Sequence, residues 1–219
     1  MMPGTAYVAG TRSFAAEVAG YAEDAGIEVA GLLEPHDPGR VGTTIHGHQV
    51  AWVEDAGPGS AIVGTGETAR RELVARIEGA GLDLPSLIHP RAHIARTATL
   101  GRGVLIGPGV VVGAFAQIGD HVVIGRGSLV GHHTEIGEFA TLAPGANVAG
   151  NARIGEDAWI GMAAVIRDHL TVGPAASVAM GAVVVRDVPA GVQVRGLPAR
   201  AHDARHEEMG AISPRTRGG

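Results

Sequence analysis

The chain of 219 residues has no cysteine and no lysine: all 17 basic residues are arginine. Without cysteine there is no disulfide, no thiolate metal ligand and no thiol nucleophile. The absence of lysine removes the amine nucleophile as well. Aromatics supply only 3% of the residues, so a core must be built from Val, Ile, Leu and Ala. No run of 18 apolar residues occurs, and no segment is expected to span a membrane. The opening Met1-Met2-Pro3-Gly4 has neither the basic nor the apolar region of an export signal, so the expected location is the cytoplasm. A basic field is missing too, and a net charge of −5 argues against a nucleic-acid binder.

What remains is apolar and glycine-rich. With 45% hydrophobic and only 18% charged residues the chain is expected to fold, as one or two domains. Its 35 glycines follow no three-residue period, which excludes collagen. Up to residue 88 strand and helix patterns alternate. Tyr7-Val8-Ala9 reads as a strand ending at Gly10, and Phe14 to Ala25 as a helix stopped by Gly26. Ile27 to Leu33 is a second strand, and a Pro/Gly/Asp-rich loop leads to the apolar residues around Gln49-Val50 and Trp52-Val53. Ala61-Ile62-Val63 is a further strand and Thr68 to Ile77 a further helix, which together suggest a small parallel α/β domain.

Beyond residue 93 an aliphatic residue falls at every sixth position: Ile94, Leu100, Ile106, Val112 and onward to Val184, sixteen in succession. Glycine follows it in ten of the sixteen units, and a small or β-branched residue such as Ala116, Ser128, Thr134 or Ala140 stands four places on. A period of six fits neither helix nor extended strand and marks a repeat architecture. Three units of short strand and turn close a triangular coil of eighteen residues, whose neighbours satisfy its backbone hydrogen bonds. The expected domains are residues 1–88, the coil at 89–187, and an exit segment with a polar tail at 188–219, including a short helix through Glu207-Glu208-Met209.

This repeat resembles the hexapeptide acyltransferases, whose parallel β-helix is left-handed and whose members are usually homotrimers. The exit Val188-Pro189-Ala190-Gly191, followed by Val194-Arg195-Gly196-Leu197-Pro198, is similar to theirs. The α/β unit ending in Leu87-Ile88-His89-Pro90 and the segment Leu142-Ala143-Pro144-Gly145-Ala146 resemble the sialic-acid O-acetyltransferase and nucleotide-aminosugar N-acetyltransferase subfamily. The implied fold is a small α/β Rossmann-like N-terminal domain followed by an all-β left-handed parallel β-helix. The implied reaction is acetyl-CoA-dependent N-acetylation of a nucleotide-linked amino sugar, by sites shared between subunits of a homotrimer and without a metal. An O-acetyltransferase or a transferase for a non-UDP sugar or antibiotic precursor is the alternative, and a β-helix retained as a non-catalytic scaffold is a third reading.

The subfamily carries its general base in Asp/Glu-His-Asp/Glu shortly before Ile-Gly-Asp/Glu-Phe. The matching stretch here is Gly131-His132-His133-Thr134-Glu135-Ile136-Gly137-Glu138-Phe139, which makes His132 the counterpart of the base and puts Gly131 and His133 where acids stand. The candidate catalytic residues are therefore His132 and His133. Imidazole suits the task because it is largely in base form at neutral pH. Gly150 lies one coil after His132, about 4.8 Å away by the repeat, and the resemblance assigns its N–H to the thioester carbonyl. By register, Thr141, Met162 and Met180 are the other candidate contacts to acetyl-CoA. For the sugar nucleotide the candidates are Gly10, Arg12, Ser13 and Phe14 in the first loop and Glu34 after the second strand. Paired aspartates of the subfamily are replaced there by Glu34-Pro35. The plain readings leave His132 and His133 as solvated turn histidines, His89 and His93 as junction residues, Arg70 and Arg71 on a solvated helix face, and Trp52 and Trp159 as packing.

Overall fold

The structure is a computed structural model that describes residues 4–65 and 70–202. The expected start of the second helix at Thr68 and the expected helix through Glu207-Glu208-Met209 lie outside the described residues. The N-terminal part contains β1 (Thr5–Ala9), α1 (Ser13–Asp24), β2 (Glu28–Glu34), β3 (Thr44–Ile45), β4 (His48–Trp52), β5 (Ala61–Val63) and α2 (Arg70–Gly79). Its sheet runs β3-β4-β2-β1-β5, parallel throughout except for the β3–β4 hairpin. The apolar residues around Val50, which the pattern alone leaves beyond a loop, form a fourth parallel strand because Val50 packs under Leu32 in the core.

The two helices take opposite faces of this sheet. α1 buries Ala15, Val18, Ala19 and Ala22 against Val8, Leu32 and Ile62. α2 buries Leu73, Val74 and Ile77 against Ala9, Leu33 and Val63. Two glycines make the β1–α1 connection tight. Gly10 has φ +134°, and a Cβ on Gly64 would lie 2.7 Å from Val8 and 3.1 Å from the Ala15 Cα. Neither position accepts a side chain without displacing α1.

The repeat folds as a left-handed β-helix. Two-residue strands recur every six residues from Leu87–Ile88 to Val183–Val184 and stack with the strand eighteen residues away into three parallel sheets. Ile88 stands six residues before Ile94 and is already in phase, so the coil starts at the very end of the segment expected to be α/β. At the other end Gln193–Arg195 extends one sheet and Arg200–His202 closes it antiparallel. Every sixth aliphatic side chain points inward, and Ile106, Ile124, Leu142, Ile160 and Ile166 are fully buried. Each such side chain contributes about 1.5–3 kcal/mol by leaving water. The small residues four places on, Ala116, Ala140, Ala146 and Ala152 among them, fill the same core.

The turns show a second six-residue rhythm. A residue with left-handed φ occurs at every sixth place from Gly103 to Gly181, and nine of these are not glycine, including Phe115, His121, His133, Phe139, Asn151 and His169. The three outer faces differ. The first carries Leu105, Val123, Thr141 and Trp159 and is covered at Leu105 and Val123 by the N-terminal domain. The second carries Val111, Leu129, Asn147 and Val165, and its three apolar members are 40, 43 and 38% exposed. The third is polar, with Gln117, Glu135, Arg153 and Thr171.

Candidate active site

The candidate residues gather in two separate places. The first is a cavity of about 440 Å³ between the N-terminal domain and the first face of the β-helix. Gly10, Thr11 and Arg12 of the β1–α1 loop and Phe14 of α1 line it, with Glu34 at the end of β2, Pro35 to Asp37 after it, Arg40, and Val123, Arg126, Thr141, Trp159 and Met162 of the β-helix. Its lining is mainly apolar and aromatic, with arginines bordering it. That composition suits a ligand with a flat ring and an anionic part.

Glu34 organises this cavity. One carboxylate oxygen accepts from the Thr11 hydroxyl, and the other accepts the N–H groups of His36 and Asp37 at 2.8 and 3.0 Å. Burial alone would raise its pKa, but these hydrogen bonds and the nearby Arg40 together hold it below the ordinary glutamate value. Arg40 in turn donates to the Thr11 carbonyl and hydroxyl at 3.1 Å. Glu34 therefore holds the loops in place, and its side chain is engaged by the protein itself.

The second helix reaches the β-helix through two arginines, of which Arg70 is buried, contrary to the solvated face expected, while Arg71 stays exposed. Arg70 is 3% exposed and donates to the Thr141 hydroxyl at 2.6 Å and to the carbonyls of Phe139 and Ala140. Burial pushes its pKa down to about 10, which still leaves it charged at neutral pH. Arg71 lies over the Phe139 ring at 4.1 Å and pairs with Asp157 at 2.9 Å. His89 at the junction is buried; its Nδ1 accepts from the Arg91 N–H and its Nε2 faces Asp24 at 2.9 Å, so the neutral Nε2–H tautomer satisfies both.

The second place is the edge between the second and third faces. Here the His132 ring lies directly over Gly150, where a Cβ would come within 2.8 Å of both Cε1 and Nε2. The carbonyl of Gly150 accepts from His169 N–H, and the Asn151 N–H donates to the His132 carbonyl. Among the described residues the Gly150 N–H makes no such bond between coils. His132 Nδ1 is 3.0 Å from His133 Nδ1, with the rings at 86°. The His133 ring packs on Phe115, one coil earlier, at 4.9 Å. Gly131 is needed for the close approach, since a Cβ there would sit 2.3 Å from the Gly150 nitrogen.

The structure thus brings together Gly10, Arg12, Phe14 and Glu34 in the cavity, and His132, His133 and Gly150 at the edge. Ser13 opens α1, is exposed, and does not line the cavity. Thr141 and Met162 lie in the cavity rather than beside His132, and Thr141 is 5% exposed with its hydroxyl accepting from Arg70. Met180 is 70% exposed on the turn one coil beyond Met162. Sequence reasoning missed Thr11, Arg40, Arg126 and Trp159 as lining residues. Thr11 belongs to the β1–α1 loop itself, and only the position of Arg40, Arg126 and Trp159 around the same cavity reveals them. Among the described residues no helix is long and apolar enough to cross a membrane, and no three His, Asp or Glu side chains group as metal ligands.

Comparison with known proteins agrees with this architecture. The family model described as bacterial transferase hexapeptide (six repeats) matches residues 115–150. No curated protein matches the chain. Among solved structures, PerB from Caulobacter crescentus, in complex with CoA and GDP-perosamine, has a TM-score of 0.84 and 27% identity, over 93% of this chain and 99% of its own. The acetyltransferase domain of PglB from Neisseria gonorrhoeae, in complex with acetyl coenzyme A, has a TM-score of 0.83 and 29% identity, over 92% and 100%. WeeI from Acinetobacter baumannii has 0.82 and 29%, over 90% and 100%. The unbroken six-residue repeat, the α/β domain seated on its first face and likeness along nearly the whole chain make this protein a hexapeptide-repeat acetyltransferase with a left-handed β-helix.

Proposed function

We propose that the protein transfers the acetyl group of acetyl-CoA to the amino group of a nucleotide-linked amino sugar, with His132 as general base. The observation that carries this reading is the His132 imidazole lying over Gly150, whose N–H takes no part in the bonding between coils. The complexes of PerB with CoA and GDP-perosamine and of PglB with acetyl coenzyme A support the substrate class.

The geometry accounts for each step. The acceptor amine attacks the thioester carbonyl carbon while His132 Nε2 takes the N–H proton, assistance typically worth about 10²–10⁴-fold. The carbonyl oxygen becomes an oxyanion, which the Gly150 N–H is placed to stabilise. Collapse breaks the C–S bond, and the proton on His132 passes to the departing sulfur. The products are an acetamide and free CoA thiol. The cavity under the N-terminal domain holds the nucleotide, with Arg12 and Arg40 beside its anionic part and Phe14 and Trp159 beside its rings.

Within one chain the second face of the β-helix separates the cavity from His132. That face is the apolar one, with Val111, Leu129 and Val165 partly exposed and Phe115 53% exposed at its edge. We assign it to contact between subunits of a homotrimer, so that the cavity of one subunit meets the His132 edge of the next.

Thiol release from acetyl-CoA, screened against nucleotide-linked amino sugars headed by GDP-perosamine, tests the proposal. A chain without cysteine adds no background to a thiol reagent. Acceptor-dependent release that drops about 10²-fold or more in His132→Ala is expected. An unchanged rate in that variant would sink the assignment of the base.

A further inference from the structure

The residue after His132 is a second imidazole, and the structure places it in direct contact with the first. We propose that His133 is a positioning residue for acetyl transfer: its Nδ1 accepts the Nδ1–H of His132 and fixes the tautomer that leaves His132 Nε2 unprotonated over Gly150. This inference rests on the reading of His132 as general base.

Two Nδ1 atoms 3.0 Å apart share one proton, because each neutral imidazole offers either a donor or an acceptor at that nitrogen. If His133 donated, His132 would carry its proton on Nε2 and present a donor to the reacting amine. If His132 donates, Nε2 is the free base. The surroundings of Nε2 favour the second arrangement. The Gly150 N–H is a donor at that turn which makes no bond between coils, and an unprotonated Nε2 suits it.

The acceptor itself is held from three sides. His133 adopts φ +55°, its N–H donates to the Ala114 carbonyl at 2.9 Å, and its ring rests on Phe115. The coil before it offers only Gly113, Ala114 and Phe115 at this edge, none of them titratable. Arg167, Asp168 and His169 stand two coils later and associate with one another, Asp168 lying 4.0 Å from Arg167 and 3.8 Å from His169. Glu135 on the next strand pairs with Arg153 at 3.5 Å. Among the described residues of one chain, His133 is the partner that can orient His132 by direct contact.

When His132 takes the substrate proton, the bond to His133 Nδ1 becomes charge-assisted and stabilises the imidazolium.

Nitrogen-15 NMR of the unliganded protein reads the His132 tautomer directly and needs no acceptor sugar. The wild type is expected to show Nδ1–H and a bare Nε2 on His132, and His133→Ala to lose that preference. In the thiol-release assay His133→Ala should lose about 10–100-fold in kcat, part of what a positioned base contributes, with little change in KM for acetyl-CoA. His133→Asn should recover most of the loss, since its side-chain oxygen accepts the same proton and asparagine tolerates the left-handed backbone. His133→Asp should also recover it and move the acidic limb of the kcat profile to higher pH, because a carboxylate favours the imidazolium. A His132 found as the Nε2–H tautomer in the wild type, or wild-type kcat in His133→Ala, would overturn the inference. Full activity in His132→Ala would instead overturn the reading of the base, while the NMR result would still decide whether the two rings are paired.

Discussion

At Gly150 the missing side chain is what lets the imidazole of His132 lie where it does. A Cβ there would come within 2.8 Å of two ring atoms, and the ring, as the end of a flexible side chain, would be the part to move. Gly150→Ala is therefore expected to lower kcat by about tenfold or more, a share of the general-base contribution, while the midpoint of thermal unfolding stays within a few degrees. Parallel kinetics and calorimetry on this variant would check both halves; a large loss of stability would mean that the turn itself had shifted. The juxtaposition was legible in the sequence because the coil length places residue 150 beside residue 132. The hydrogen bond between His132 and His133 was not, since adjacent residues at a turn reveal their side-chain directions only through the backbone angles. Glu34 shows the same limit. The sequence offers it as a ligand contact, whereas the Thr11, His36 and Asp37 donors that engage it come from folding the loops together.

Among the elements, α2 departs furthest from its sequence. Two successive arginines on a short helix read as solvent-facing, because buried arginine is rare unless paired. Here the β-helix turn presents the carbonyls of Phe139 and Ala140 and the Thr141 hydroxyl, and these partners lie about seventy residues away in sequence. The same seam holds His121, which is 3% exposed, stacks on Phe139 at 4.8 Å and leaves both ring nitrogens without a hydrogen bond. Burial, reinforced by Arg102, holds its pKa below the ordinary histidine value. Below about pH 6.5 the unfolded chain binds a proton at this residue that the folded chain refuses, so stability declines as pH falls. His121→Phe removes that dependence, and its ring suits a left-handed position already occupied by phenylalanine at 115 and 139. Urea midpoints at pH 8 and pH 5 should therefore draw apart less in the variant than in the wild type. An equal acid loss in both would assign the sensitivity to other groups.

For the whole molecule, the six-residue period made the β-helix legible almost in full, because one inward aliphatic per unit is a strong and local signal. The N-terminal domain was less so: β4 lacks a clear alternation and is defined by its parallel pairing with β2. Which outer face lies open was hidden as well, since outward positions become apolar or polar only when compared coil by coil. Val111, Leu129 and Val165 form one column of the second face. Replacing Leu129 and Val111 with glutamate should set three like surfaces against one another. Sedimentation should then show monomers that retain the β-sheet signal of the wild type, with acetyl transfer lost. A folded and active monomer would refute sites shared between subunits.

The unbroken eighteen-residue coil also determines how such a chain can change its length. Inserting one residue between His132 and Gly150 would turn every later aliphatic side chain off its inward position, and the pairing of Asn147–Val148 with Leu129–Val130 would be lost. Inserting a complete coil after residue 170 would leave both in place and only make the prism taller. Growth and shortening are therefore quantised in whole coils, and the His132 edge stays fixed while the far end of the molecule remains free to vary.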